Sequence, residues 1–167
     1  MKNILTKLTY GHYILTARKE ADELKTRDSD YIAAGTVNWA SQVSFDPPMI
    51  MVAVGQKSDL NETIDYSERF TLHLLDKENS HMVEDFGSDS DIKDGKINGH
   101  PFSKKDHQVI LNDTAGYIEC KVKKSMNIGD HTIYFGEVVS AKMQKGEADL
   151  ICTMDVPSNY TEAVAEI

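Results

Sequence analysis

A small, polar run at residues 35–48, GTVNWASQVSFDPP, leads without a break into the apolar MIMVAVG of residues 49–55. Pro48 and Gly55 bound the second run, which reads as a buried strand. The first run ends on a proline pair and carries Thr36, Asn38, Ser41, Gln42 and Ser44 around the chain's single tryptophan, Trp39. A surface loop has no need of that Trp, and a plain core strand has no need of so many amides and hydroxyls. The mixture suits a backbone that lies close to a flat polar ligand and hydrogen-bonds its rim. Gly35 allows close approach at the start of the run. The plainer alternative makes Thr36, Asn38 and Ser41 the exposed face of an edge strand.

The rest of the chain repeats the extended pattern. Residues 10–16 read as a strand, 18–31 as a charged crossing, and 32–44 as the returning strand. At 58–67 the period changes: Leu60 and Ile64 fall four apart, and Asp59 with Glu62 resembles a capping box, so a short helix is expected. A strand at 70–75, a second short helix at 79–86 and a polar loop at 87–99 follow. After a short apolar piece at 109–111 come two long strands, 116–125 and 131–142, joined through a hairpin turn at 127–130. A late strand is expected at 150–154. Many strands, two short helices and regular turns predict a mainly β chain, an antiparallel closed or nearly closed barrel with helical additions. Strand–helix alternation is absent, as are GxGxxG and GxxxxGK[ST], so a doubly wound nucleotide crevice is excluded. With 167 residues, one domain over 1–155 is expected, with a tail at 156–167 of no recognisable function.

The net charge of −9 argues against nucleic acid as a partner and against docking on anionic lipid. Cys120 and Cys152 lack CxxC partners and read as inert thiols. The histidines make no HExxH or HxxxH pattern. The acidic loop at 88–95 fails as a calcium site, because the sixth position counted from Asp89 is Asp94 rather than Gly. No metal is expected, and no hydrolase triad is legible. The first residues do not resemble a signal peptide, and no apolar run approaches the length of a membrane span, so a cytoplasmic protein without a membrane partner is expected.

In chain order, YGHYILTAR, NWASQVSFDPP, SDLNETI, RFTLHLL, YIECKV and GDHTIYFGEV together resemble the flavin reductase-like family. The pairing of Asn38 with Trp39 is most similar to its flavoredoxin-like, rubredoxin-linked branch. The resemblance implies an FMN-binding antiparallel split β-barrel and an NAD(P)H-dependent flavin reductase, with NADH or NADPH as co-substrate. Reduced flavin is negative near N1 and O2, and main-chain N–H groups aimed there stabilise it. Trp39, Ala40, Ser41, Gln42, Val43 and Ser44 would supply that row, with Thr36 before it. Asn38 and Gln42 would reach the pyrimidine edge or the ribityl chain. The phosphate would lie at the strand-to-helix turn Gln56, Lys57, Ser58, with Asn61 and with Lys96 from the polar loop. Leu60 stands where the family usually carries Thr. The family places His131 near the flavin and the nicotinamide entry face, which makes it the catalytic-site candidate; an ordinary turn histidine satisfied by Asp130 is the alternative. A flavoredoxin-like electron carrier that holds FMN and meets a redox protein partner is the second reading. The pyridoxamine-phosphate oxidase type is disfavoured, for want of an Arg- and Lys-rich phosphate pocket. A homodimer is expected, because the long strands at 117–122 and 133–139 carry more apolar surface than two short helices can cover.

Overall fold

Short apolar runs and alternating stretches bounded by turns make most of the described chain extended, and strand pairing then organises it. The computed structural model describes residues 2–5, 7–21, 29–152 and 155. A short helix, α1 (Lys2–Leu5), precedes β1 (Tyr13–Lys19), β2 (Tyr31–Val37), β3 (Ala40–Phe45) and β4 (Pro48–Gly55). Helix α2 (Asp59–Ser67) leads to β5 (Arg69–Leu74) and, after a 3-10 turn, to α3 (Met82–Asp85). Then come β6 (Ile92–Lys93), β7 (Lys96–Ile97), β8 (His100–Lys105), β9 (Gln108–Leu111), β10 (Gly116–Ile128) and β11 (His131–Met143). Seven strands form one antiparallel sheet in the order β2-β1-β5-β10-β11-β4-β3, and the other four form a small sheet, β6-β7-β8-β9. This is the antiparallel split barrel with short helical additions that the sequence predicts.

Two cores lie on opposite faces of the β1–β2 pair. Alternation along β1 sends Leu15 to the first, with Val37, Val52, Leu60, Ile64, Phe70 and Tyr134. It sends Ile14 to the second, with Met82 of α3, Phe86 just after it, and Val109 and Leu111 of β9. Each fully buried Leu, Ile or Phe contributes about 1.5–3 kcal/mol. The second core therefore holds the small sheet and α3 onto the large sheet. His73 of β5 bridges the same junction: its Nδ1 lies 3.1 Å from Ile14 O, and the Leu111 N–H donates to its Nε2.

The differences from expectation have local causes. The strand read as 32–44 is two strands, because the chain turns at Asn38–Trp39 and passes from one edge of the large sheet to the other. Leu60 Cδ2 would lie 3.4 Å from a Cβ placed on Gly35, so the close approach there is by α2. Ser58, not Asp59, caps α2: its hydroxyl accepts from the Asn61 N–H. The helix read as 79–86 is a 3-10 turn at Lys77–Asn79 followed by the four residues of α3. The polar loop holds the β6–β7 hairpin, and β8 was not legible at all. β1 runs to Lys19, and part of the charged crossing after it lies outside the described residues. The 127–130 turn is tighter than read. Ile128 pairs with His131, and the loop is Gly129-Asp130, with Gly129 at φ +59. Of the late strand, Leu150 and Cys152 make single bridges to Asp76 and Gly11, and the buried Ile151 donates its N–H to Leu75 O; residues 153 and 154 and the 156–167 tail lie outside the described residues. No helix among the described residues is long and apolar enough to cross a membrane.

Candidate functional site

The polar run forms β3, the end strand of the large sheet. One edge of β3 is bonded to β4, with Ala40 opposite Val52 and Ser41 opposite Met51. The other edge presents main-chain donors and acceptors with no neighbouring strand in the sheet. A bulge between Gln42 and Ser44 bends this edge. The Gln42 amide donates to Ser44 O across the bulge, and the Ser41 hydroxyl donates to Gln42 O. Val43 points outward and is exposed.

On the far side of β4 lies β11, with His131 opposite Gly55. This registry brings together residues 92 positions apart. The Trp39 and His131 rings have centroids 4.8 Å apart and an interplanar angle of 48°. Ala53 N–H donates to Trp39 O, which fixes the tryptophan at the mouth of the β3–β4 pair. Trp39 is 42 % exposed although its ring packs on His131. His131 Nδ1 lies 2.6 Å from Asp130 Oδ1. That bond holds the Asp130 carboxyl below the usual carboxylate range. Gln56 closes the same corner: its N–H donates to Asp130 O, and its amide donates to His131 O at 3.0 Å. Gln56 therefore clasps the β10–β11 turn, a role the sequence does not reveal.

The next turn begins α2. Ser58 both caps the helix and donates from its hydroxyl to Gly55 O. Lys57 is exposed beside it. Asn61 is buried, its main-chain O accepts from the Tyr134 hydroxyl, and its Nδ2 has no hydrogen-bond partner among the described residues. A buried N–H without a partner costs about 1–3 kcal/mol, and this one lies in the first turn of α2. The acidic residues of the same turn are tied to neighbouring strands, Glu62 by an ion pair and Asp59 by a hydrogen bond. Lys19 Nζ lies 2.6 Å from Glu62, and the Tyr31 hydroxyl donates to Asp59.

The fold thus joins Asn38, Trp39, the β3 edge, Gln56 and His131 in one corner, with Lys57, Ser58 and Asn61 on the following turn. Thr36 is turned elsewhere: its hydroxyl donates to Val83 O and its N–H to Phe86 O, anchoring α3. Lys96 belongs to the small sheet, in β7, where it pairs with Lys93 and Pro101. The Trp39–His131 contact was missed because only strand registry creates it.

A split barrel with an open polar edge strand, a ring pair at its mouth and a capped helix start places the chain among the small antiparallel β domains of split-barrel class. The particular family follows from comparison. Residues 5–161 match the flavin reductase like domain model, and the chain belongs to that family. It is 29% identical over 157 residues to Diflavin flavoprotein A 1 of Synechocystis sp., covering 88% of this chain and 24% of that protein. It is 27% identical over 140 residues to the high molecular weight rubredoxin of Moorella thermoacetica, covering 82% and 57% of the two chains. The chain therefore spans about a quarter of the length of the diflavin flavoproteins it matches. Among solved structures, the flavin reductase HpaC in complex with NADP+ superposes with a TM-score of 0.71 at 20% identity, over 90% of this chain and 89% of that one.

Proposed function

We propose that the chain binds FMN along β3 and works as an NAD(P)H-dependent flavin reductase. The observation that carries this reading is the corner where the open edge of β3 meets the Trp39–His131 ring pair. The donors there suit the group. The open edge offers main-chain N–H to an electron-rich ring rim, Asn38 lies at its start, and the unpartnered Asn61 Nδ2 stands with Lys57 and Ser58 at the positively polarised start of α2, a place for phosphate. Bound there, FMN supplies a two-electron acceptor for hydride from NADH or NADPH. The protein's part is positioning. Trp39 would pack beside the bound ring, and His131, oriented by Asp130 and by the Gln56 clasp on its backbone, would border the approach of a nicotinamide. HpaC was solved with NADP+, which supports a nicotinamide partner here.

A second reading is supported by the match to one part of the much longer diflavin flavoproteins and to the high molecular weight rubredoxin. In it the domain is an electron carrier that keeps its flavin and exchanges electrons with a redox protein. A homodimer fits either reading. Phe45 is 90 % exposed, and Val43, Met126, Ile128 and Val139 are also uncovered. Tyr117, Cys120 and Tyr134 of the long hairpin are covered within the chain, so the pairing surface would be the exposed half of β10 nearest the turn, Val139 of β11 and β3.

Trp39 provides the test. Titration of FMN into the protein should quench its emission, since no second Trp contributes. Asn38→Leu with Gln42→Leu should weaken FMN in a variant that remains folded. His131→Ala should slow reduction by NADH or NADPH in stopped flow while the oxidised flavin spectrum stays near normal. Flavin binding without oxidation of either nicotinamide favours the carrier. An FMN titration that leaves Trp39 emission and flavin absorbance unchanged refutes both.

A further inference from the structure

On the side of the molecule built around α3, three side chains that no contiguous motif connects come together. His81 immediately precedes α3, Asp85 ends it one turn later, and His100 opens β8. Their ligand-capable atoms all lie within 4.8 Å of one another. His100 Nε2 is 2.9 Å from Asp85 Oδ2, and the His81 and His100 ring centroids are 5.6 Å apart. The side chain of His100 is 12 % exposed and Phe86 covers its ring, whereas His81 and Asp85 face solvent. One ligand is thus rigid and two are reachable from water.

We propose that His81, Asp85 and His100 form a binding site for a divalent transition-metal ion, with zinc the ion that fits the ligands best. Two imidazoles and one carboxylate are the donor set such ions take, and three protein ligands leave one position for water. Tetrahedral zinc needs ligand atoms about 3.4 Å apart. The His100–Asp85 pair is already tighter than that, and rotation of the exposed His81 ring closes the remaining gap. The charges also fit. Among the described residues, the ion pairs of Asp85 and of Asp113 go only to His100, so no lysine or arginine competes. Asp113 Oδ2 lies 3.9 Å from His100 Nδ1, on the far side of the ring. When the metal takes Nε2, the imidazole proton resides on Nδ1 facing this carboxylate, which orients the ligand and makes it more basic. The Asn98 amide donates to Asp85 O and steadies the end of α3.

The ion would tie α3 to β8. Because Thr36 bonds Val83 O and Phe86 O of the same helical turn, the clasp would also stiffen the end of β2, just before the Asn38 corner. The assignment does not depend on flavin binding. Linear motif scanning misses it because His100 stands fifteen residues beyond Asp85 and only the β7–β8 turn returns it to α3.

The test is zinc titration of the metal-stripped full chain, by calorimetry and by thermal unfolding, with cobalt absorbance as a second readout. One ion per chain and a raised Tm are expected. His81→Ala and Asp85→Asn should each weaken binding about tenfold or more, while His107→Ala on the small sheet's β8–β9 turn should leave it unchanged. His81 is exposed, so its variant should stay folded, as circular dichroism would verify. Absence of binding at about 100 µM zinc, or binding that survives His81→Ala undiminished, overturns the proposal.

Discussion

Acidification should destabilise this protein through one histidine. The His73 ring is fully buried between the two sheets. Ile14 O can only accept, so Nδ1 carries the proton; the Leu111 N–H can only donate, so Nε2 is bare. A second proton would sever the bond to β9 and place a charge in a dry site. Burial accordingly pushes His73 down from 6.5 to about 4. Its folded pKa is depressed, so the stabilisation is fully present above the unfolded value near 6.5. It is lost as the pH falls towards 4. At 1.36 kcal/mol per unit the full loss is about 3 kcal/mol, and about 2.5 kcal/mol of it is gone by pH 4.5. The assay is urea unfolding followed by circular dichroism, on the wild type and on His73→Gln, from pH 7.5 down to 4.5. Differences between the two chains cancel the carboxylates that titrate in the same range. The wild type should lead at neutral pH, and its lead should shrink by about that amount on acidification. A lead that stays constant across the range refutes the assignment of a neutral, doubly bonded ring.

Three further outcomes follow from packing and burial. Gly136→Ala would place a Cβ 2.7 Å from both Cys120 Cβ and Phe70 Cζ; it should cost about 1–3 kcal/mol, read as a lower urea midpoint with an unchanged slope. Burial pushes the Cys120 thiol up to about 12, so in the native protein a thiol reagent should titrate the partly exposed Cys152 and leave Cys120 untouched until unfolding; rapid modification of both would contradict the buried placement. Thr36→Val removes the hydroxyl bond to Val83 O, and should cost about 1 kcal/mol and speed amide exchange across α3, while exchange in the β10–β11 hairpin stays slow.

Local chemistry written into neighbouring residues determined much of this protein. The unbroken apolar run MIMVAVG makes β4, the four-residue spacing of Leu60 and Ile64 makes α2, and Gly129 in its left-handed conformation turns β10 into β11. Each depends on contacts within a few positions, so each is legible from the chain, as is the small polar run that becomes β3. The tertiary structure alone decided where these pieces meet. The turn at Asn38–Trp39 carries the chain from β2, at one end of the large sheet, to β3 at the other, and no local period announces it. The two-residue strands β6 and β7 and the polar β8 have too little apolar pattern to be read; the buried Ile97, Val109 and Leu111 hold them once a second core exists. Trp39 meets His131, and Asp85 meets His100, only through strand registry and chain return. Those pairings are set by the burial of many side chains at once, an energy that belongs to the assembled sheets and to no single stretch of sequence.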